Sequence, residues 1–272
     1  MMEEIRITLV QQNLVWEDIE ANLARFTSHL KMIKPGDSDL VILPEMFTTG
    51  FSMNAGLLAE PMEGKTMNWM AKLAAEKNCA ITGSLIIKEK NLYFNRLIWM
   101  KPNGLFECYD KRHLFKLGDE QITYTKGNKK LITSIKGWKI MPLICYDLRF
   151  PAWCRNSSPP GDSGAFHYDL LLFVANWPDT RIHHWKQLLV ARAIENQCYV
   201  AGVNWVGTDG EGAKHSGYSM LINYQGEIVS NIKPFEEFVQ TYALSHDNLK
   251  EYRKNFPFLS DRDDFSINDI RN

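Results

Sequence analysis

Cysteine is scarce and scattered in this chain. Five occur, at positions 79, 108, 145, 154 and 198, an odd set without a CxxC pair, which argues against both a disulfide framework and a zinc site. No segment approaches the roughly 18 consecutive apolar residues that a membrane-spanning helix needs. The opening residues Met1-Met2-Glu3-Glu4-Ile5-Arg6 lack the basic flank and apolar stretch of a secretory signal. Neither sign of charge dominates: 31 Lys and Arg stand against 32 Asp and Glu, for a formal net charge of −1. That leaves no electrostatic footprint for nucleic acid or an anionic membrane. Glycine-rich phosphate loops and serine-based nucleophile elbows are missing as well. These absences leave the cytoplasm as the expected compartment and a small molecule or another protein as the expected partner. Asn156-Ser157-Ser158 fits a glycosylation acceptor, but without a secretion signal it reads as coincidence.

What is present suits a buried core. Of 272 residues, 45% are apolar and 12% aromatic, enough for one large domain over residues 1–272, with a polar tail from about 243. Short apolar runs alternate with helical periodicity. Residues 5–10 read as a strand, and Ile19, Leu23, Phe26, Leu30 and Ile33 fall on one face of a helix. Pro35-Gly36-Asp37 stops it. Residues 39–43 form an apolar run too short for a helix, as expected of a strand buried on both faces, and Pro44 ends it just before Glu45.

Further along, a helix is expected over 66–77 and a buried strand over 80–87. Two hairpins then turn near 88–91 and at Pro102-Asn103-Gly104. A turn at Lys136-Gly137 leads into a strand over 139–144, which delivers Cys145. Residues 170–175 repeat the buried-strand signature, and 183–196 carry Trp185, Leu188, Leu189, Arg192 and Ile194 at helical spacing. A strand over 200–204 and a hairpin over 218–230 follow. The tail after Tyr242 shows few strand signals and is expected to wrap the surface or a partner. Residues 157–164 are rich in Ser, Pro and Gly and read as an inserted surface loop. The acidic start, apolar run and polar exit of 39–45 recur in 169–176. Two such halves suggest two sheets packed face to face with helices outside.

The residues able to carry chemistry sit at strand exits. Cys145 follows Ile140-Met141-Pro142-Leu143-Ile144 and precedes Tyr146-Asp147-Leu148-Arg149. A thiol there stands at the rim of a sheet, with backbone N–H groups after it free to hold an oxyanion. The alternative is a small apolar filler, the usual role of a free cysteine, and that reading suits Cys79, Cys108, Cys154 and Cys198. Glu45, at the end of an apolar run, needs either a partner or a task. Lys111, in Tyr109-Asp110-Lys111-Arg112-His113-Leu114-Phe115, would by itself read as a solvated lysine. Together the three offer a proton acceptor, a nucleophile and a cation for both thiolate and oxyanion. His183-His184 is too closely spaced for two ligands on one helix face, so no metal is expected. Phe47, Phe51 and Met53 are either an apolar wall over a pocket or ordinary core.

Leu43-Pro44-Glu45-Met46-Phe47, Tyr109-Asp110-Lys111-Arg112-His113-Leu114-Phe115 and Leu143-Ile144-Cys145-Tyr146-Asp147-Leu148-Arg149-Phe150-Pro151 resemble the three motifs of the nitrilase superfamily of carbon-nitrogen hydrolases, in order and in spacing. The resemblance continues through Val174-Ala175-Asn176-Trp177-Pro178 and Ala191-Arg192-Ala193-Ile194-Glu195-Asn196-Gln197. It implies an α/β fold, a four-layer αββα sandwich, with Glu45 as general base, Lys111 stabilising the transition state and Cys145 as nucleophile. It also implies a second, positioning glutamate, best matched by Glu120 with Asp119 as the alternative. Substrate contacts would come from Tyr146, Asn176 and Trp177. Nitrile hydrolases of this superfamily typically carry Cys-Trp-Glu where this chain has Cys145-Tyr146-Asp147, which favours an amide.

The text from Tyr109 to Gln197 is most similar to the omega-amidase branch, whose members hydrolyse the free amide of 2-oxoglutaramate without cofactor or metal. Such a substrate needs a cationic clamp, for which Arg181, His184 and Arg149 are candidates, Arg149 equally as a structural ion-pair partner. A homodimer or larger homo-oligomer is implied too. The competing readings are an N-carbamoyl amino acid or polyamine amidohydrolase and a catalytically silent binding member.

Overall fold

The computed structural model describes residues 4–157, 166–263 and 265–267. Almost all of the expected 157–164 loop lies outside them. The chain opens with strand β1 (Ile5–Gln11), helix α1 (Ile19–Leu30) and strand β2 (Leu40–Ile42). Asp18 caps α1 by accepting the Ala21 N–H at 2.9 Å. A short helix α2 (Ala55–Leu58) and the longer α3 (Lys65–Lys77) precede β3 (Ala80–Glu89), β4 (Leu92–Met100) and β5 (Phe106–Asp110). After the short α4 (Glu120–Thr123) come β6 (Thr133–Ile135), β7 (Trp138–Ile144), α5 (Pro151–Cys154), β8 (Leu170–Val174), α6 (Ile182–Asn196) and β9 (Tyr199–Val203). The hairpin of β10 (Val206–Thr208) and β11 (Lys214–Ser216), then β12 (Met220–Ile222), β13 (Phe238–Leu244) and α7 (His246–Asn255) complete it.

Among the described residues two large sheets result, one ordered β13-β1-β2-β3-β4-β5 and one ordered β12-β9-β8-β7-β6, beside the two-stranded β10-β11 sheet. Strand periodicity decides which side chains face which layer. Ile5, Ile7, Leu9, Leu40 and Ile42 share one core with Ile140, Leu170, Leu172 and Val174 of the second sheet. Their neighbours Val10, Val41 and Ile81 turn the other way, onto Leu23, Phe26 and Leu30 of α1 and Met67, Met70 and Leu73 of α3. On the far side Trp185, Leu189 and Ala193 bring α6 against the second sheet. The approach is close: a Cβ added to Gly202 of β9 would lie 2.6 Å from Leu189 Cδ1 and 2.7 Å from Trp185 Cζ2. The four layers expected from the resemblance are present.

A strand that the sequence reading did not place leads into the tail. Residues 238–244 form a strand along the full length of β1, from Ile5 opposite Leu244 to Gln11 opposite Phe238. Helix α7 then docks through Arg253, which donates to Asp169 Oδ1 at 2.7 Å, to the Tyr168 carbonyl at 2.9 Å and to the Gln197 carbonyl at 2.8 Å. Asn156, the glycosylation candidate, is buried and donates to the Tyr168 carbonyl at 2.9 Å, consistent with a coincidental match. Among the described residues no helix is long and apolar enough to cross a membrane.

Candidate active site

The parallel strands β2, β7, β8 and β9 end at one edge of the sandwich, where Glu45, Cys145, Asn176 and Asn204 follow them. Ligands of open parallel sheets bind outside such carboxyl ends. Cys145 starts a single 3₁₀ turn, Cys145–Arg149, with φ +42°, a left-handed conformation that a non-glycine residue adopts at a cost. The N–H of Tyr146 lies in the first turn, where no carbonyl of that turn can accept it.

Beneath the thiol lies a fully buried ionic cluster. Lys111 Nζ donates to Glu45 Oε1 at 2.8 Å and to Glu120 Oε1 at 2.9 Å. Asn95 Nδ2 bridges the same two oxygens at 2.8 and 3.1 Å. The other Glu45 oxygen accepts the Asn176 N–H at 2.7 Å, and the other Glu120 oxygen accepts the Phe115 N–H at 2.6 Å. Both carboxylates are thus held at each oxygen. Glu120, and not Asp119, is the second glutamate in contact with the lysine; Asp119 sits in a left-handed turn with φ +54°.

Electrostatics follow from burial and these neighbours. Burial by itself would depress the Lys111 ammonium, but the charges of Glu120 and Glu45 outweigh it and hold its pKa above the ordinary lysine value. Burial raises the carboxyl pKa of Glu120, against the pull of Lys111. Burial, then the charge of Glu45, pushes the Cys145 thiol well above its usual range, with Lys111 opposing. A thiol raised in this way is made a better nucleophile by a base beside it.

Above the cluster opens a cavity of about 250 Å³ that contains Cys145, Lys111, Tyr146, Asn176, Trp177 and Arg181, all six expected from sequence. Arg149 lines it too, its guanidinium 4.7 Å over the Trp177 ring and 3.1 Å from His184 Nδ1. His184 supports Arg149 and does not itself line the cavity. Arg181 lies 5.4 Å over the ring of Phe115. Phe51 forms a wall with the Lys111 ammonium 5.1 Å over its ring, whereas Phe47 belongs to the core against Phe26 and Met53 packs beside Met46.

Sequence reasoning missed several supporting groups. Asn95 is an isolated carboxamide within a buried strand, and that polar interruption was the available signal. Asn204 clamps the Trp177 backbone, accepting its N–H at 2.9 Å and donating to its carbonyl at 3.0 Å; it ends an apolar strand as Glu45 does. Asp209, Glu211 and His215 of the β10–β11 hairpin also line the cavity and carried no motif. Among the described residues no group of three or more His, Cys, Asp or Glu could hold a metal ion.

A carboxylate, a thiol and an ammonium meet at the open edge of an αββα sandwich, the groups a cysteine hydrolase acting on carbon–nitrogen bonds needs. The chain belongs to the carbon-nitrogen hydrolase family, whose model matches residues 6–254. It is 44% identical over 266 residues to omega-amidase YafV of Escherichia coli K12, covering 98% of this chain and 100% of the relative. It is 32% identical over 227 residues to the 2-oxoglutaramate amidase of Bacillus subtilis, covering 82% and 85%. Among solved structures it is similar to XC1258 of Xanthomonas campestris, a CN-hydrolase superfamily protein with an arsenic adduct in its active site. The TM-score is 0.95 and the identity 44%, over 98% of this chain and 100% of that one.

Proposed function

We propose that the chain is an omega-amidase that hydrolyses the terminal amide of an α-keto acid such as 2-oxoglutaramate to carboxylate and ammonia. The observation that carries this reading is the cavity itself, where a buried thiol over a lysine–dicarboxylate cluster meets two arginines suited to a carboxylate. Near full-length similarity to relatives bearing that name supports it.

In this mechanism Glu45 takes the thiol proton and Cys145 attacks the amide carbon. Lys111 and the Tyr146 N–H hold the oxyanion. Ammonia leaves with the proton returned by Glu45. Glu45 then activates water, which breaks the thioester and frees the thiol and the carboxylic acid product. Glu120 keeps Lys111 oriented, while Arg149 and Arg181 receive the distal carboxylate, with Trp177 and Asn176 walling the amide. No cofactor or metal enters. In the same reading the chain works in the cytoplasm as at least a homodimer, and a monomer mass in solution scattering overturns that part.

The test is ammonia release from 2-oxoglutaramate, glutamine, simple nitriles and N-carbamoyl amino acids, with Cys145→Ala alongside. Release from the keto acid amide that vanishes in the variant is the expected result. Turnover confined to another compound moves the substrate, and silence throughout overturns the enzymatic reading.

A further inference from the structure

We infer that Asp147 is a positioning residue for this reaction, a buried carboxylate that fixes the turn bearing Cys145 against the segment bearing Lys111. These two pieces of chain belong to different sheets. Lys111 follows β5, the outer strand of the first sheet, and Cys145 follows β7 of the second. No β-ladder joins β5 to β7, so their relative placement needs another tie.

Asp147 supplies it from both oxygens. Oδ2 accepts the Tyr109 hydroxyl at 2.7 Å and the Ile144 N–H at 3.1 Å. Oδ1 accepts the His113 N–H at 3.0 Å and meets His113 Nδ1 at 2.8 Å. Tyr109 and His113 flank Lys111 by two residues on either side, and Ile144 and Asp147 flank Cys145. Each reacting group is thereby bracketed by partners of one carboxylate.

The bracket is itself braced. The Tyr109 oxygen accepts Trp153 Nε1 at 3.1 Å and the Arg112 N–H at 3.2 Å. The His113 ring stacks on Phe150 with centroids 3.7 Å apart and planes within 6°. Asp147 and Tyr109 are essentially inaccessible, so solvent cannot replace a lost partner and hydrogen bonds to the carboxylate are strong. The Ile144 N–H contact also braces the backbone immediately before the left-handed Cys145, where a conformation of intrinsic cost must be imposed from outside.

This inference rests on the roles proposed for Cys145 and Lys111, so its test reads the thiol separately from the amide. Asp147→Asn places an amide donor among donors, and Tyr109→Phe removes one hydroxyl with little change of shape. For each, kcat and KM are measured with the rate of Cys145 alkylation by iodoacetamide from pH 6 to 10, corrected for folded fraction by circular dichroism. The expected result is kcat lowered at least about tenfold with KM within about threefold, as for misplaced catalytic groups. The alkylation rate falls at every pH, because a displaced Lys111 no longer favours the thiolate.

Wild-type kcat and alkylation profile in the folded variants overturn the inference. So does a loss of activity that merely tracks unfolding. If Asp147→Asn fails to fold, the Tyr109→Phe result decides. If wild type releases no ammonia from keto acid amides while the alkylation rate still falls in the variants, the substrate reading falls and the positioning role stands.

Discussion

Glu45 and Asn176 hold each other across the two sheets: the Glu45 carboxylate accepts the Asn176 N–H at 2.7 Å, and the Asn176 side chain donates to the Glu45 carbonyl at 2.6 Å. The first bond leaves the Glu45 oxygen beside Lys111 aligned, and the second anchors the exit of β2 to the exit of β8. Removing the side chain breaks only the second. Asn176→Ala is expected to cost about 1–3 kcal/mol of stability by leaving a buried carbonyl without its donor. A roughly tenfold fall in kcat should accompany it as the base drifts. Urea unfolding with steady-state kinetics checks both, and an unchanged kcat defeats the prediction.

Lys111→Met leaves Glu45 and Glu120 buried without their cation. The loss is expected to reach about 3–5 kcal/mol at neutral pH. Its pH dependence follows from the sign of the shift. Burial already raises the carboxyl of Glu120 against the pull of Lys111, and without the ammonium that group binds its proton more tightly still when folded. Such a contribution is present at low pH and lost as pH rises through the folded value. The variant's deficit should therefore be smaller at pH 5 than at pH 8 in urea titrations; equal deficits sink this account.

Alkaline stability should respond to a residue remote from the cavity. Burial pushes the Cys79 thiol up to about 12 from an ordinary 9.0. A raised folded pKa gives stability that is complete below 9 and lost as pH climbs toward 12. In Cys79→Ala one proton's share of that decline, about 1.4 kcal/mol per pH unit, disappears. Unfolding free energies at pH 8.5, 9.5 and 10.5 measure the slope, and parallel slopes in both proteins refute the claim.

The two cavity arginines make separable contributions to the proposed substrate. Arg149 is preset by the Trp177 face and His184, whereas the Arg181 guanidinium lies over the Phe115 ring, its carbonyl accepting Trp177 Nε1. Arg149→Gln is expected to raise KM for 2-oxoglutaramate at least about tenfold, and Arg181→Gln less, because a preorganised donor loses less entropy on binding. A simple amide without a carboxylate should show neither effect. Equal penalties on both substrates would show that the arginines shape the wall and do not bind the anion.

How much of this was legible in the sequence depended on whether a residue's surroundings are local. Glu45, Cys145 and Asn176 stand where apolar strands end, a placement visible in a dozen letters. The four layers follow from alternation in β1 and β2 and from the helical spacing of Leu23, Phe26 and Leu30. Asn95 carries no such mark: its task arises from Glu45 and Glu120, 50 and 25 residues away, and only folding brings them to one amide. Asp147 stood inside a motif, yet its partner Tyr109 lies on β5 of the other sheet and His113 just beyond that strand. Strand β13 was missed because three of its inner residues, Gln240, Thr241 and Tyr242, are polar or amphipathic. Its reason to be extended is a partner at the opposite end of the chain.

That partner sets an order of events during synthesis. The antiparallel neighbour of β1 is made more than 220 residues after it, with Ile5 facing Leu244 and Gln11 facing Phe238. Until then β1 offers a bare flank with free N–H and carbonyl groups, the kind of edge that recruits foreign strands. Contacts of such wide sequence separation close slowly. A chain stalled before Phe238 would be sticky in a way that the chain carrying β13 is not.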